Sequence, residues 1–172
     1  MLFRSTGALA NDVFHARGLP VGTSLVSTQL PGQDVLNHPH LIAPVDVTVE
    51  RTDLQARVKK PEEVVSDEKI VDIGPDTVAM LAPLLMQANF ILWNGPTGLY
   101  ESGYFHYTHA LAEVIIERVA QGAHAVIGGG DTVAAIETDG IDVTKLGFIS
   151  TGGGAMLEYL LQGTLPGITA LG

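Results

Sequence analysis

Twice in the second half of the chain, a short run of apolar residues leads directly into consecutive glycines and then into a helix-like segment. Residues 125–127 precede the glycines at 128–130, and residues 148–150 precede, after one threonine, those at 152–154. An apolar strand followed by a glycine turn and a helix is the repeating unit of parallel α/β sheets. The pattern therefore predicts an α/β fold built as a three-layer, doubly wound parallel sheet.

Other segments extend this alternation. Apolar runs at 41–49, 69–73 and 90–93 predict further strands, and the run at 90–93 is expected to be buried on both faces. Asp76 is expected to cap a helix that follows the second of these strands. The first apolar run comes at the very start of the chain, so this Rossmann-like sheet is expected to be incomplete at its N-terminal edge.

Composition narrows the class of protein. The chain has 172 residues and 46% hydrophobic content, which suits one domain over residues 1–172. Nine basic against nineteen acidic residues give a net charge of −10, which argues against nucleic acid as a partner. Without cysteine there is no disulfide or thiolate metal site, and no apolar run is long enough for a membrane span, so a cytoplasmic protein is expected. The charge-rich segment 50–68 is expected to be a solvated excursion.

The glycine loops are the candidate functional site. In open α/β sheets ligands bind at the carboxyl ends of the strands, where the loops 94–101, 128–132 and 150–154 are predicted to lie. Glycines allow an anion to approach the backbone, and the following helix offers free N–H groups. Asp131 stands at the head of such a helix, where it either caps the helix or holds Mg²⁺ between phosphate oxygens. No lysine completes a Walker A pattern.

Each remaining feature has a simpler alternative. The glycines at 152–154 are by themselves more typical of a flexible turn, although two such loops in one sheet favour a shared anion site. Asn94 begins what would alone be a plain turn, and the Glu101 carboxylate could accept hydrogen bonds from ribose hydroxyls. The histidines at 106 and 109 are expected to be surface polar residues rather than metal ligands. Aromatic residues of the predicted strands are expected to lie in the core: Phe90, Trp93 and Phe148.

Four ordered motifs together resemble the C-terminal, nucleotide-binding domain of phosphoglycerate kinase. They are ILWNGPTGLYE at 91–101, IGGGDTVAA at 127–135, ISTGGGAMLE at 149–158 and LPG at 165–167. The resemblance extends upstream through VDIGP at 71–75, PVD at 44–46, VGTSL at 21–25 and GALAN at 7–11, so it covers nearly the whole chain.

The resemblance implies an activity and a set of site residues. The family transfers a phosphoryl group between 1,3-bisphosphoglycerate and ADP, giving 3-phosphoglycerate and ATP with Mg²⁺. Asp131 would then hold the Mg²⁺ of the nucleotide, Glu101 would bind its ribose and Asn94 would lie near its phosphates. The phosphates would be faced by Gly129, Gly130 and Thr132. The adenine would rest against Gly7, Ala8, Ile70, Val71, Pro96 and Leu99. The catalytic groups would be the backbone amides at the helix starts, Gly130 and Gly154, which stabilise the transferring phosphoryl group.

The departures from the family limit this expectation. The family's N-terminal domain binds the phosphoglycerate through basic residues and supplies a catalytic arginine, and no segment here resembles it or the Gly-Ala-Lys turn that contacts the phosphates. We therefore expect a chain without the substrate domain that binds Mg-nucleotide weakly, does not turn over alone, and meets 3-phosphoglycerate only through the missing half. The alternatives are a non-catalytic ADP- or ATP-binding module and an inactive, self-associating fragment.

Overall fold

Strands and helices follow one another along the chain. The computed structural model describes residues 3–4, 7–51 and 55–171. The strands are β1 (Phe3–Arg4), β2 (Leu41–Ile42), β3 (Val47–Glu50), β4 (Ala56–Lys59), β5 (Lys69–Ile73), β6 (Phe90–Asn94), β7 (His124–Gly128) and β8 (Phe148–Ser150). The helices are α1 (Ala8–Ala16), α2 (Gln33–Leu36), α3 (Pro75–Gln87), α4 (His106–Ala120), α5 (Gly130–Glu137), α6 (Gly153–Gln162) and α7 (Pro166–Ala170). Within the described ranges, no helix combines the length and apolar character needed to cross a lipid bilayer.

The described strands form three hydrogen-bonded sheets. β6, β7 and β8 make a parallel sheet in that order, with α4 and α5 as connections, and β1 pairs in parallel with β2. β3 pairs antiparallel with both β4 and β5. The predicted α/β, Rossmann-like class is confirmed, and the antiparallel sheet is a departure from the expected all-parallel order. Its physical reason is the short connection between β3 and β4, since a parallel crossover needs a dozen or more residues.

The charged segment between β3 and β5 is mostly exposed, as its composition predicts, but it also forms a strand and contains one buried carboxylate. β4 pairs with β3 along its whole length, and Glu68 is only 1% exposed. The Nζ atom of Lys59 lies 2.9 Å from both carboxylate oxygens of Glu68, and the Val65 N–H donates to Oε2 at 3.0 Å. Burial alone would raise the pKa of Glu68, but the Val65 amide and Lys59 hold it below its usual value. These partners offset the desolvation of the buried charge.

Helix α3 is capped from a distant position rather than by Asp76. The Asp46 carboxylate, which precedes β3, accepts hydrogen bonds from the Asp76 N–H at 2.9 Å and the Thr77 N–H at 2.7 Å. A Cβ atom at Gly74 would lie 2.3 Å from Cγ of Asp46, so this close approach requires glycine. The Asp76 side chain instead forms an exposed ion pair with Lys60 at 3.0 Å. The expected local cap is therefore wrong.

The parallel sheet has one buried and one exposed face. Ile91 and Ile127 are 6% and 0% exposed and belong to a cluster with side chains of α3, α4 and α5. Phe90 and Phe148 point to the opposite face, since side chains alternate along a strand, and are 59% and 68% exposed. Their expected place in a core buried on both faces is wrong for this chain. On this face α6 approaches the end of β7, where a Cβ atom at Gly128 would lie 2.4 Å from Met156 Cε.

Candidate functional site

Three strand ends meet at the carboxyl edge of the parallel sheet. The register aligns Asn94 of β6 with Gly128 of β7, and Gly128 with Ser150 of β8. The Gly129 N–H donates to the Ser150 carbonyl at 2.9 Å, which joins the two glycine loops directly. The ends of three separate strands, at Asn94, Gly128 and Ser150, thus share one edge.

Asn94 lies between the two glycine loops. Its Oδ1 atom would lie 2.7 Å from a Cβ atom at Gly128, 3.3 Å from one at Gly129 and 2.3 Å from one at Gly153. Side chains at 128 or 153 would collide with the amide, and Gly129 also has a φ of 90°, which favours glycine. The result is an exposed side-chain amide lined by three glycines.

Asp131 does not cap its helix. α5 begins at Gly130, the preceding Gly129 makes no side-chain cap, and Asp131 is the exposed second residue of the helix. The Tyr100 hydroxyl donates to its Oδ1 atom at 3.4 Å. Of the two roles that the sequence leaves open, capping is therefore removed, and the carboxylate faces solvent at a helix N-terminus.

Thr132 has no hydroxyl available for a ligand. Its side chain is fully buried, its Oγ1 donates to the Gly128 carbonyl at 2.6 Å, and it accepts the Gly95 N–H at 2.8 Å. This hydroxyl clamps the loop after β6 to the loop after β7. Any contact of Thr132 with phosphate would have to come from its backbone amide.

Gly130 and Gly154 lie open to solvent in the first turns of two helices. A Cβ atom at either position would meet nothing within 4 Å. Their helices, α5 and α6, have eight and ten residues, and neither has a side-chain cap. The first-turn amides of such helices are free donors and carry the positive end of the helix dipole.

The residues predicted to surround an adenine are brought together only in part. Gly7 has a φ of 61°, and a Cβ atom there would lie 3.0 Å from the Pro96 carbonyl oxygen. The Leu99 N–H donates to the Val71 carbonyl at 2.8 Å. Gly7 thus lies against Pro96, and Leu99 lies against the Val71 backbone.

The other predicted binding residues are less closely associated. Ala8 is exposed at the start of α1, and Glu101 is exposed in a short 3₁₀ turn, Tyr100–Ser102. Ile70 packs instead against a second core cluster that contains Phe14 of α1, and the Val71 side chain is only 2% exposed. Neither of these two aliphatic side chains presents a broad open surface to a ligand.

Sequence reasoning missed a buried polar group beneath this loop. Asp72 is 4% exposed, and burial raises its pKa to about 7, although hydrogen bonds from the Thr97 hydroxyl and from the amides of Ile73 and Tyr107 lower it. The Thr97 N–H donates to Thr108 Oγ1 at 3.0 Å, and the two hydroxyl oxygens lie 2.8 Å apart. The only available signal was a carboxylate inside the otherwise apolar run at 70–73.

The two histidines of α4 have different environments. His106 is exposed, as expected, but the side chain of His109 is only 14% exposed. Its Nε2 lies 2.8 Å from the Ala135 carbonyl, and its ring lies 4.9 Å from that of Phe105, so this histidine joins α4 to α5. In the part of the chain that the structure describes, no group of three or more histidine or acidic side chains is arranged to hold a metal ion.

Basic side chains lie at the opposite edge of the parallel sheet. Arg118 Nε donates to the Ala88 carbonyl at 2.8 Å just before β6, and Lys145 Nζ lies 3.9 Å from Asp142 just before β8. The carboxyl edge carries the exposed carboxylates of Glu101 and Asp131. The charges at that edge suit a bound cation and backbone donors better than direct pairing with phosphate.

Known proteins match this chain in sequence and in fold. The family model for phosphoglycerate kinase matches residues 3–163. Phosphoglycerate kinases of Francisella tularensis subsp. tularensis (strain WY96-3418) and Chloroflexus aurantiacus are 42% and 37% identical over 176 aligned positions, covering 96% of this chain. The structure of phosphoglycerate kinase from Coxiella burnetii superposes with a TM-score of 0.80 at 34% identity, and that from Pyrococcus horikoshii OT3 with 0.71 at 25% identity.

Each match covers nearly all of this chain but less than half of the matched protein. The two superpositions each include 98% of this chain but 45% and 44% of the respective solved structures. The chain likewise spans 44% of the length of the curated relatives it matches. A family model that matches nearly the whole chain nevertheless settles its membership: the chain belongs to the phosphoglycerate kinase family.

Proposed function

We propose that this chain is the nucleotide-binding part of a cytoplasmic, glycolytic phosphoglycerate kinase and that it binds MgADP and MgATP at the carboxyl edge of β6, β7 and β8. The observation that carries the proposal is the placement of Asn94 between the two glycine loops, within 2.3–3.3 Å of the Cβ positions of Gly128, Gly129 and Gly153. Three glycines line this amide, so a phosphate chain can lie along the edge and contact the amides of both loops.

The phosphates are bound by backbone donors. The first-turn amides at Gly130 of α5 and Gly154 of α6 are free and open to solvent. The first turn of α5, which follows Gly129, also contains the amide of Thr132. Asn94 contributes its side-chain amide from between the loops. Because oriented amides need no reorganisation as charge develops, they also stabilise the phosphoryl group during transfer.

The rest of the nucleotide extends toward the 96–101 loop. Glu101 is exposed there and accepts hydrogen bonds from the ribose hydroxyls. Gly7, Pro96 and Leu99 contact the adenine. Ala8 lies at the exposed start of α1, and the backbone of Ile70 and Val71 lies behind these residues. The positive φ of Gly7 and its close approach to the Pro96 carbonyl keep this side of the pocket free of a side chain.

Asp131 fits the Mg²⁺ that accompanies the nucleotide. Mg²⁺ in phosphoryl-transfer sites is held by one or two carboxylates together with substrate phosphates and water. Asp131 offers one exposed carboxylate in the first turn of α5, beside the amides that would hold the phosphates. The ion, when bound, neutralises charge on the phosphate oxygens. The Tyr100 hydroxyl, 3.4 Å from Oδ1, orients the carboxylate.

The family reaction transfers a phosphoryl group between the acyl phosphate of 1,3-bisphosphoglycerate and ADP. In this proposal the chain supplies the nucleotide side of that reaction, and 3-phosphoglycerate binds to protein outside this sequence. The edge described here carries carboxylates and amides, whereas a loose phosphoryl-transfer transition state also needs side-chain cations. We therefore expect no turnover in a coupled kinase assay of this chain alone, and clear turnover would contradict this division of labour.

Calorimetric titration tests the nucleotide site. Asp131→Asn should weaken MgADP binding about tenfold, since a charged ligand to Mg²⁺ is lost, and Glu101→Ala should weaken it about threefold to tenfold, since ribose hydrogen bonds are lost. Glu113→Gln, an exposed substitution on α4, is the matched control and should leave binding unchanged. Undetectable binding of wild-type protein at millimolar MgADP would contradict the proposal.

A further inference from the structure

We infer that Asp72 is a positioning residue for the nucleotide site: its buried carboxyl group holds the 97–101 segment in place, and the ionisation of this one group governs how firmly the segment is held. The inference rests on the proposed nucleotide site, because the same segment carries Leu99 and Glu101. Asp72 lies on β5, outside the glycine loops.

The carboxyl group of Asp72 joins three parts of the fold. It accepts a hydrogen bond from the amide of Ile73 on its own strand at 2.8 Å, and the Thr97 hydroxyl in the loop after β6 and the Tyr107 amide in the first turn of α4 are near enough to lower its pKa. At 4% exposure, it has protein donors rather than water as its main partners. A change in the protonation of this carboxyl group therefore affects β5, the loop and α4 together.

A chain of hydroxyl groups extends this connection. The Thr97 N–H donates to Thr108 Oγ1 at 3.0 Å, and the two Oγ1 atoms share a hydrogen bond at 2.8 Å. Either hydroxyl can be the donor in this second bond, and the Thr97 hydroxyl also interacts with the Asp72 carboxyl group. Both threonines are at most 1% exposed.

The loop also approaches Asp72 as closely as a backbone can. A Cβ atom at Gly98 would lie 2.5 Å from Cγ of Asp72 and 2.5 Å from the Tyr104 carbonyl oxygen. The next residue, Leu99, donates its N–H to the Val71 carbonyl at 2.8 Å, and the Tyr104 N–H returns to the Leu99 carbonyl at 3.2 Å. The segment that would contact the adenine and ribose is therefore packed directly on the carboxyl group.

No cation neutralises Asp72 among its hydrogen-bonding partners. The titratable groups that line the adjoining cavity of about 260 Å³ are Arg57 of β4, Tyr104, and His106 and Tyr107 of α4. Asp46 precedes the neighbouring strand β3 and Glu50 is its last residue, and the Glu50 carboxylate accepts the Tyr104 hydroxyl at 2.6 Å. Desolvation is consequently the largest influence on the carboxyl group and raises its pKa to about 7.

The raised pKa of Asp72 determines how pH affects the opening of the 97–101 segment. If the segment opens, water reaches Asp72 and its pKa falls toward the ordinary value of 3.8. The closed form therefore binds the proton more tightly, and raising the pH from 5 to 7 favours opening. Above pH 7 both forms are ionised and the dependence ends.

Amide hydrogen exchange measured by NMR tests this directly in the whole chain. The protection factors of the Leu99 and Tyr104 amides, corrected for intrinsic exchange, should fall by up to about tenfold per pH unit between pH 5 and 7 and then level off. Asp72→Asn should remove this dependence, because the amide does not titrate. Asp12→Asn, which alters another buried carboxylate paired with Ser27, should keep the wild-type slope. A flat wild-type profile, or an unchanged slope in Asp72→Asn, overturns the inference.

Two further measurements keep the test decisive. Thr97→Val removes one donor to Asp72 and should move the midpoint of the pH profile upward, and an unmoved midpoint overturns the inference even if Asp72→Asn does not fold. MgADP affinity should change at least about threefold between wild type and Asp72→Asn at pH 8. An unchanged affinity beside altered exchange shows that Asp72 does not serve the site. If the wild-type protein does not bind ADP, the nucleotide proposal is contradicted. The exchange data then test only whether Asp72 holds the 97–101 segment in place.

Discussion

Gly153 leaves room for the side-chain amide of Asn94, and no other residue type fits in its place. A Cβ atom there would lie 2.3 Å from Asn94 Oδ1 and 2.7 Å from the Gly129 nitrogen, which is backbone and cannot swing aside. The same packing that keeps the loops together therefore also keeps the edge of the sheet free of side chains. Adding a single methyl group at position 153 therefore tests both the packing of the loops and the openness of the edge.

Gly153→Ala should reduce stability by about 1–3 kcal/mol through overpacking and weaken MgADP binding about tenfold or more by displacing Asn94. Urea unfolding and calorimetry measure the two effects. Gly167→Ala is the matched control, because a Cβ atom at Gly167 of α7 meets nothing within 4 Å. Equal behaviour of the two variants would contradict the packing described around Asn94.

Asp72 should also make the global stability of the protein depend on pH. Its pKa is raised from 3.8 to about 7, so the folded state holds a proton that the unfolded state has lost. This contribution is fully favourable below pH 3.8 and is lost as the pH rises to 7, a change of about 3 kcal/mol between pH 5 and pH 8. Urea unfolding should show a smaller decrease over this range for Asp72→Asn than for wild type. An identical decrease would show that Asp72 titrates normally.

At the scale of single elements, the start of α3 depends on a side chain from another part of the chain. Asp46 accepts the amides of both Asp76 and Thr77 and also contacts the Thr77 hydroxyl at 2.6 Å. Asp46→Ala should therefore cost about 2–3 kcal/mol, because three buried donors lose their acceptor. Asp76→Asn, which breaks only the exposed pair with Lys60, should cost less than about 1 kcal/mol. Urea unfolding distinguishes this arrangement from a local cap by Asp76, which would reverse the order.

The sequence allowed prediction of those elements whose signals are local. β6, β7 and β8 end in glycine turns that lead into helices or loops, so their parallel order and the shared edge follow from spacing. The β3–β4 hairpin was missed because its exposed strand is rich in charge, and the cap of α3 because Asp46 lies thirty positions before Asp76. Asp72 escaped notice for a similar reason: the groups that interact with it, Thr97 and Tyr107, come from elements that only the fold brings together.

At the scale of the whole molecule, one face of the parallel sheet remains open. Phe90, Leu92 and Phe148 are 59%, 39% and 68% exposed on that face, and Leu161 of the nearby α6 is 84% exposed. Parallel sheets are normally covered on both faces, and exposed apolar patches favour association. The chain spans 44% of the length of the curated relatives it matches, so those relatives contain protein that this sequence lacks.

The isolated chain should therefore self-associate. Light scattering at increasing concentration should give a rising mean mass, and Phe148→Thr should reduce that rise by removing the most exposed aromatic ring of the sheet. Leu25→Ser is the matched control, since Leu25 is 79% exposed elsewhere on the surface and should not affect the mass. A monomer at all concentrations would contradict this role of the open face.

The location of bound nucleotide is the most direct test of the site as a whole. Titration of MgADP, followed by NMR of the backbone amides, should shift Gly129, Gly130, Asp131 and Gly154 most strongly, because the phosphates are proposed to lie against these amides. Gly140, which follows α5, and Gly163, which caps the end of α6, should barely move. Shifts centred away from the two glycine loops, or no shifts at millimolar MgADP, would contradict a nucleotide site at the carboxyl edge of β6, β7 and β8.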